Sequence, residues 1–102
     1  MIEIRRTTAF DKWFEGLEDD AARGRILSRI DRLILGNFGD ARSIGEGVSE
    51  LRIHYGPGYR VYFVREGATL VVLLGGGDKR TQKRDIVKAR EMARQLRDEK
   101  NG

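Results

Sequence analysis

The chain has 102 residues, of which 39% are hydrophobic and 35% charged, with a net charge of +4, so it is expected to be one domain with a real core but little room for a deep enclosed site. It has no cysteine, which excludes a disulfide framework and thiol chemistry, and a single histidine without cysteine makes no credible metal site. No window of roughly 18 apolar residues offers a membrane span, while the basic balance permits polyanionic partners.

Met1 to Arg6 shows no apolar run after its charges, so no signal peptide is expected there. Ile2 and Ile4 alternate with Glu3, which suggests a short first strand. Thr7 or Thr8 can cap the following helix, and Thr8-x-x-Asp11 resembles a capping box with Asp in place of Glu. Phe10, Trp13, Phe14 and Leu17 make one apolar stripe at helical spacing, and Gly16 lies inside that helix or ends it. Glu18-Asp19-Asp20 places negative charge where a second helix begins. Ile26, Leu27, Ile30, Leu33 and Ile34 form its apolar stripe, with Arg23, Arg25, Arg29 and Arg32 on the positions between. The two stripes predict a helical hairpin lying on a sheet.

Gly36 to Asp40 ends that helix. Arg42-Ser43-Ile44 suits a short strand and Gly45-Glu46-Gly47 a turn. The stretch from Glu50 to Ile86 organises the rest. In Glu50 to Tyr55, period-2 alternation puts Leu51, Ile53 and Tyr55 on one face and Glu50, Arg52 and His54 on the other, charged one. Gly56-Pro57-Gly58 predicts a hairpin loop, returning as the β-rich Tyr59 to Val64. After a turn at Glu66-Gly67, Leu70 to Leu74 is an unbroken apolar run, the mark of a central strand covered on both faces. Gly75-Gly76-Gly77 then reads as a break that opens into a basic helix, whose stripe is Ile86, Ala89, Ala93 and Leu96 with Met92 beside it. Residues 1–97 form the domain, and Asp98 to Gly102, with nothing to bury, is expected to fray. The expected class is α+β: an antiparallel sheet of about four to five strands, an N-terminal helical hairpin packed on it, and a C-terminal helix.

Leu51-Arg52-Ile53, Gly58-Tyr59-Arg60-Val61-Tyr62 and Leu73-Leu74-Gly75-Gly76-Gly77-Asp78-Lys79, in this order, resemble the RelE/ParE superfamily of toxins from toxin–antitoxin modules. More narrowly, they resemble its HigB-like addiction module killer branch, related to the phage Gp49-like group. The resemblance covers essentially the whole chain. It implies a small cytoplasmic toxin of a type II module, needing no cofactor and neutralised by a cognate antitoxin, a HigA-like helix-turn-helix protein from the adjacent gene. Many such toxins cleave mRNA on translating ribosomes without a metal; the ParE branch poisons DNA gyrase instead. A third possibility is a degenerate, non-enzymatic toxin acting only in its antitoxin complex.

Metal-free RNA cleavage needs a 2′-hydroxyl deprotonated, phosphate charge stabilised and a leaving oxygen protonated. His54, Arg60 and Lys79 are the candidate catalytic residues: His54 for proton transfer, Arg60 as the bidentate phosphate clamp and Lys79 at the glycine-rich turn, whose glycines would let a phosphate backbone come close. Arg52, Arg80, Lys83 and Arg84 are candidate RNA-binding residues. Structural readings stand beside these. His54 can be a surface residue, Arg52 and Arg60 solvated partners of Glu50 and Glu66, and the basic cluster a solvated helix start, although cations there oppose the dipole. The second helix's arginines suit a solvated face or a docking surface for ribosomal RNA. RNA-cleaving RelE-type members carry a tyrosine early in the last helix; here that position falls on or near Ile86, and no tyrosine lies beyond Tyr62.

Overall fold

The computed structural model describes residues 1–101 and holds a five-stranded sheet between two helical layers. The strands are β1 (Glu3–Arg6), β2 (Ala41–Gly45), β3 (Val48–Ile53), β4 (Tyr59–Glu66) and β5 (Leu70–Gly77), in the spatial order β1-β5-β4-β3-β2. From β2 to β5 the chain is an antiparallel meander, as short connections require. β1 departs from the expected antiparallel arrangement and pairs parallel with β5. The chain leaves β1 through two helices instead of a tight turn, so nothing forces it to reverse beside its neighbour.

Helix α1 (Thr8–Glu15) starts at an N-cap that is also an anchor to the sheet. The Thr7 hydroxyl accepts from the Phe10 N–H and donates to the Leu73 carbonyl at 2.8 Å, while the Thr7 N–H donates to the same carbonyl at 3.1 Å. Asp11 closes no capping box; it pairs with Arg6 at 2.7 Å. Gly16 caps the C-terminus. Helix α2 (Asp20–Ile34) begins at Asp19, whose carboxylate accepts from the Ala22 N–H. The two helices cover one face of the sheet, where Phe10, Ile26 and Leu33 meet Leu51, Val61, Val71 and Leu73 in a closed core. Burying a ring such as that of Phe10 contributes roughly 1.5–3 kcal/mol. Leu27, expected in this stripe, is 41% exposed, because it sits off the edge of the face that Ile26 and Ile30 turn inward.

Helix α3 (Gln82–Asn101) covers the other face, where Ala89 and Ala93 lie against Val48, Tyr62, Val64, Val72 and Leu74. Val71 and Leu73 thus face one helical layer and Val72 and Leu74 the other, which explains the unbroken apolar run in β5. Ile86, Met92 and Leu96 flank the α3 core as the periodicity predicts. The helix continues through Asn101, with the side chains of residues 98–101 exposed. Among the described residues no helix is long and apolar enough to cross a membrane.

The glycine run differs from expectation. Gly75 to Gly77 are the last residues of β5, not a break after it. A Cβ on Gly76 would stand 2.3 Å from the Trp13 ring, and one on Gly77 would run into the Asp85 carboxylate. These two glycines therefore admit Trp13 from one side of the sheet and Asp85 from the other. Both make room for packing, while a Cβ on Gly75 would meet nothing within 4 Å.

Candidate functional site

The hairpin Tyr55 to Gly58 and the 3-10 turn Lys79–Thr81 meet at one end of the sheet. The Lys79 N–H donates to the Pro57 carbonyl at 3.3 Å and ties the two together. Between them lies an open cleft of about 530 Å³, lined by Arg52, His54, Tyr59, Arg60 and Lys79 among others. Arg52 and Arg60 are cross-strand partners in register, and His54 follows directly on the end of β3. Four sequence-predicted residues, Arg52, His54, Arg60 and Lys79, thus share one concavity. Arg80, Lys83 and Arg84 line an adjoining groove of about 430 Å³ that also includes Lys79.

Asp40, which the sequence does not single out, joins the first two of these. Its carboxylate accepts from Arg52 Nη2 at 2.9 Å and lies 2.5 Å from His54 Nε2. The Arg52 hydrogen bond, then that of His54, pulls the Asp40 carboxyl down from 3.8 to about 2. An ionised carboxylate only accepts, so His54 Nε2 carries the hydrogen and Nδ1 is the free nitrogen of the neutral ring. The His54 side chain is otherwise 74% exposed. Because the folded value of Asp40 is depressed, the contact contributes stability above about pH 3.8 and loses it as pH falls through about 2. Titration of the Asp40 carboxyl carbon by NMR is expected to give a midpoint near 2, rising toward 3.8 in an Arg52→Ala/His54→Ala variant. An unchanged midpoint in that variant would mean that other groups hold the charge.

Glu50 and Arg60 depart furthest from the expectation of a solvated charged face. Glu50 is fully buried, because α3 covers the side of β3 on which the alternation places it. Its Oε2 accepts from Gln82 Nε2 at 2.9 Å and from the Tyr62 hydroxyl at 3.3 Å, and lies 3.5 Å from Arg60 Nε. Burial first, then the charge of Glu50, pushes the Tyr62 phenol up. Arg60 is only 11% exposed, and its Nη1 donates to the Gly58 carbonyl at 2.5 Å. Two of its three nitrogens are thereby directed at the protein, leaving Nη2 with no protein partner among the described residues. Arg52, in turn, has Asp40 as its partner and not Glu50 or Glu66.

Asp78 caps the 3-10 turn and holds Arg80, with its carboxylate 2.9 Å from Arg80 Nη2. Arg80 thus has a local partner that offsets its unfavourable place at a helix start. No acidic side chain pairs with Lys79 or Lys83 among the described residues. Ile86 packs against the α3-side core, away from the cleft. Among the described residues, no three His, Cys, Asp or Glu side chains gather closely enough to hold a metal ion.

Residues 12–97 match the family described as Phage derived protein Gp49-like (DUF891). An uncharacterized protein of Haemophilus influenzae is 47% identical over 95 residues, covering 93% of this chain and 96% of that protein. A match running from α1 almost to the end of α3 takes in both helical layers and every residue of the cleft, and the chain belongs to the Gp49-like family, a family linked to RelE-type toxins.

Proposed function

We propose that the protein is the toxin of a type II toxin–antitoxin module and cleaves mRNA on the ribosome without a metal. The observation that supports this best is the gathering of Arg52, His54, Arg60 and Lys79 in one cleft, with Asp40 fixing the tautomer of the imidazole. In this reading His54 Nδ1 takes the 2′-hydroxyl proton, and Asp40 stabilises the imidazolium that forms. The 2′-oxygen bonds to phosphorus as the bond to the 5′-oxygen breaks; Arg60 Nη2 holds the phosphate as its charge grows, and the Lys79 ammonium gives its proton to the leaving 5′-oxygen. Arg80, Lys83 and Arg84 bind the flanking backbone. The Asp40–His54 pair does the work that the late tyrosine does in RelE-type enzymes. The partner is an antitoxin that lays acidic side chains over the cleft and so mimics the polyanion.

The test is induction in cells without the antitoxin, mapping new RNA 5′ ends and gyrase-trapped DNA breaks side by side. Arrested translation with new 5′ ends inside coding regions is the expected result. Gyrase-trapped breaks over intact mRNA would assign the protein to the ParE mode instead, and harmless induction would make it a non-enzymatic member.

A further inference from the structure

The cleft does not end at His54. On its other side, Ile53 and His54 also line a groove of about 290 Å³ whose far wall is α2, through Arg25, Ser28, Arg29 and Arg32. The positive face of α2 therefore continues the cleft. Lys79 continues it in the opposite direction, toward Arg80 and Lys83.

Two details separate this groove from an ordinary solvated helix face. Arg29 is built into the structure: its Nη1 donates to the Arg52 carbonyl at 2.7 Å, while its buried Nη2 has no hydrogen-bond partner. Burial, then the nearby charge of Arg32, lowers its pKa, and the Asp40 carboxylate opposes them more weakly, so Arg29 and Arg32 crowd positive charge on this wall. The second detail is Arg25, whose guanidinium stacks over the Tyr55 ring at 4.5 Å. Tyr55 itself lines the cleft, so the junction carries a flat cationic and aromatic surface. A basic groove tracking a backbone, with stacking platforms beside it, is how proteins hold single strands.

We propose that the arginine face of α2 is a second nucleic-acid subsite, continuous with the cleft, that holds the sugar–phosphate backbone of single-stranded RNA on the side of His54 opposite Lys79. The proposal rests on the reading of the cleft as an RNA-cleaving site. It assigns the strand a path from α2, past His54, to the start of α3.

The test compares wild type with Arg25→Gln/Arg32→Gln, two exposed positions, leaving the structural Arg29 intact. The probe is a labelled 2′-O-methyl RNA of about twelve nucleotides, which cannot be cut, titrated over a range of salt. The variant is expected to bind about tenfold more weakly at low salt, with the slope of log affinity against log salt reduced by about 0.7 for each phosphate it no longer neutralises. An unchanged melting temperature shows that the fold is kept. If wild type binds RNA and the variant binds with the same affinity and slope, the α2 subsite is overturned and the cleavage reading stands. The subsite is equally overturned if the variant loses only an acidic protein partner while its RNA slope is unchanged. If wild type binds no RNA at any salt, the α2 subsite is overturned as well, while the cleavage reading is decided separately by the mapping of new RNA 5′ ends.

Discussion

Cells induced for His54→Ala will keep growing and translating where wild-type induction arrests them, and mRNA cleavage in a translating extract will fall by about 10²- to 10⁴-fold. That is the range a positioned proton-transfer group supplies. The fold will survive, because the side chain is largely exposed and its one protein hydrogen bond is to Asp40. His54→Gln sharpens the test. Glutamine can keep a hydrogen bond to Asp40 but cannot carry a proton, so it should be as inactive as alanine. Cleavage at the wild-type rate by His54→Gln would show that the ring only positions something else. Lys79→Ala should relieve toxicity too, since its ammonium lines the cleft free of any acidic partner among the described residues. Were His54→Ala, Arg60→Ala and Lys79→Ala all to remain fully toxic, the site would be wrong even with the family unchanged.

The parts legible in the sequence are those that one period controls. Alternation in β3 predicts its inward face, and the β-rich run of β4 and the continuous apolar run of β5 predict buried central strands; the structure places Leu51, Val61, Val71 and Leu73 in the core accordingly. Helical spacing identifies all three apolar helix faces, with Leu27 the exception. What period cannot state is whether a polar face is covered. Glu50 alternates with Leu51 and so reads as part of a solvated face, yet α3 lies over that face and buries it. The glycines mislead for a related reason. Local rules read Gly75-Gly76-Gly77 as a break, whereas Trp13 and Asp85 approach two of them from distant parts of the chain. Asp40 escapes a local reading because its partners Arg52 and His54 lie 12 and 14 residues away, joined to it only once β3 is folded. A lone aspartate after a glycine has no local signature. The parallel pairing of β1 is out of reach likewise, since β5 begins far along the chain.

Arg60→Leu should be the most destabilising change in the cleft, lowering urea unfolding stability by about 3–5 kcal/mol, because it strands a buried carboxylate. With Arg60 gone, Glu50 keeps the neutral donors Gln82 and Tyr62, and the one nearby cation is Arg42, 3.4 Å from Oε1 but 56% exposed. The double variant Glu50→Leu/Arg60→Leu removes both charges and should recover much of this loss. It should not recover all of it, because the buried Tyr62 hydroxyl loses its acceptor, at about 1–3 kcal/mol for a donor left buried and unpaired. Toxicity should stay absent in both variants, since neither has a guanidinium at the phosphate. The pair of measurements separates folding from chemistry. Arg60→Leu alone confuses the two, but a double variant that is stable and inactive identifies Arg60 as part of the reaction. If the double variant were no more stable than Arg60→Leu, the stranded charge of Glu50 would not be the cause of the loss. If it were stable and fully toxic, the phosphate would be held by Arg52 and Lys79, and Arg60 would be a brace for the hairpin through Gly58.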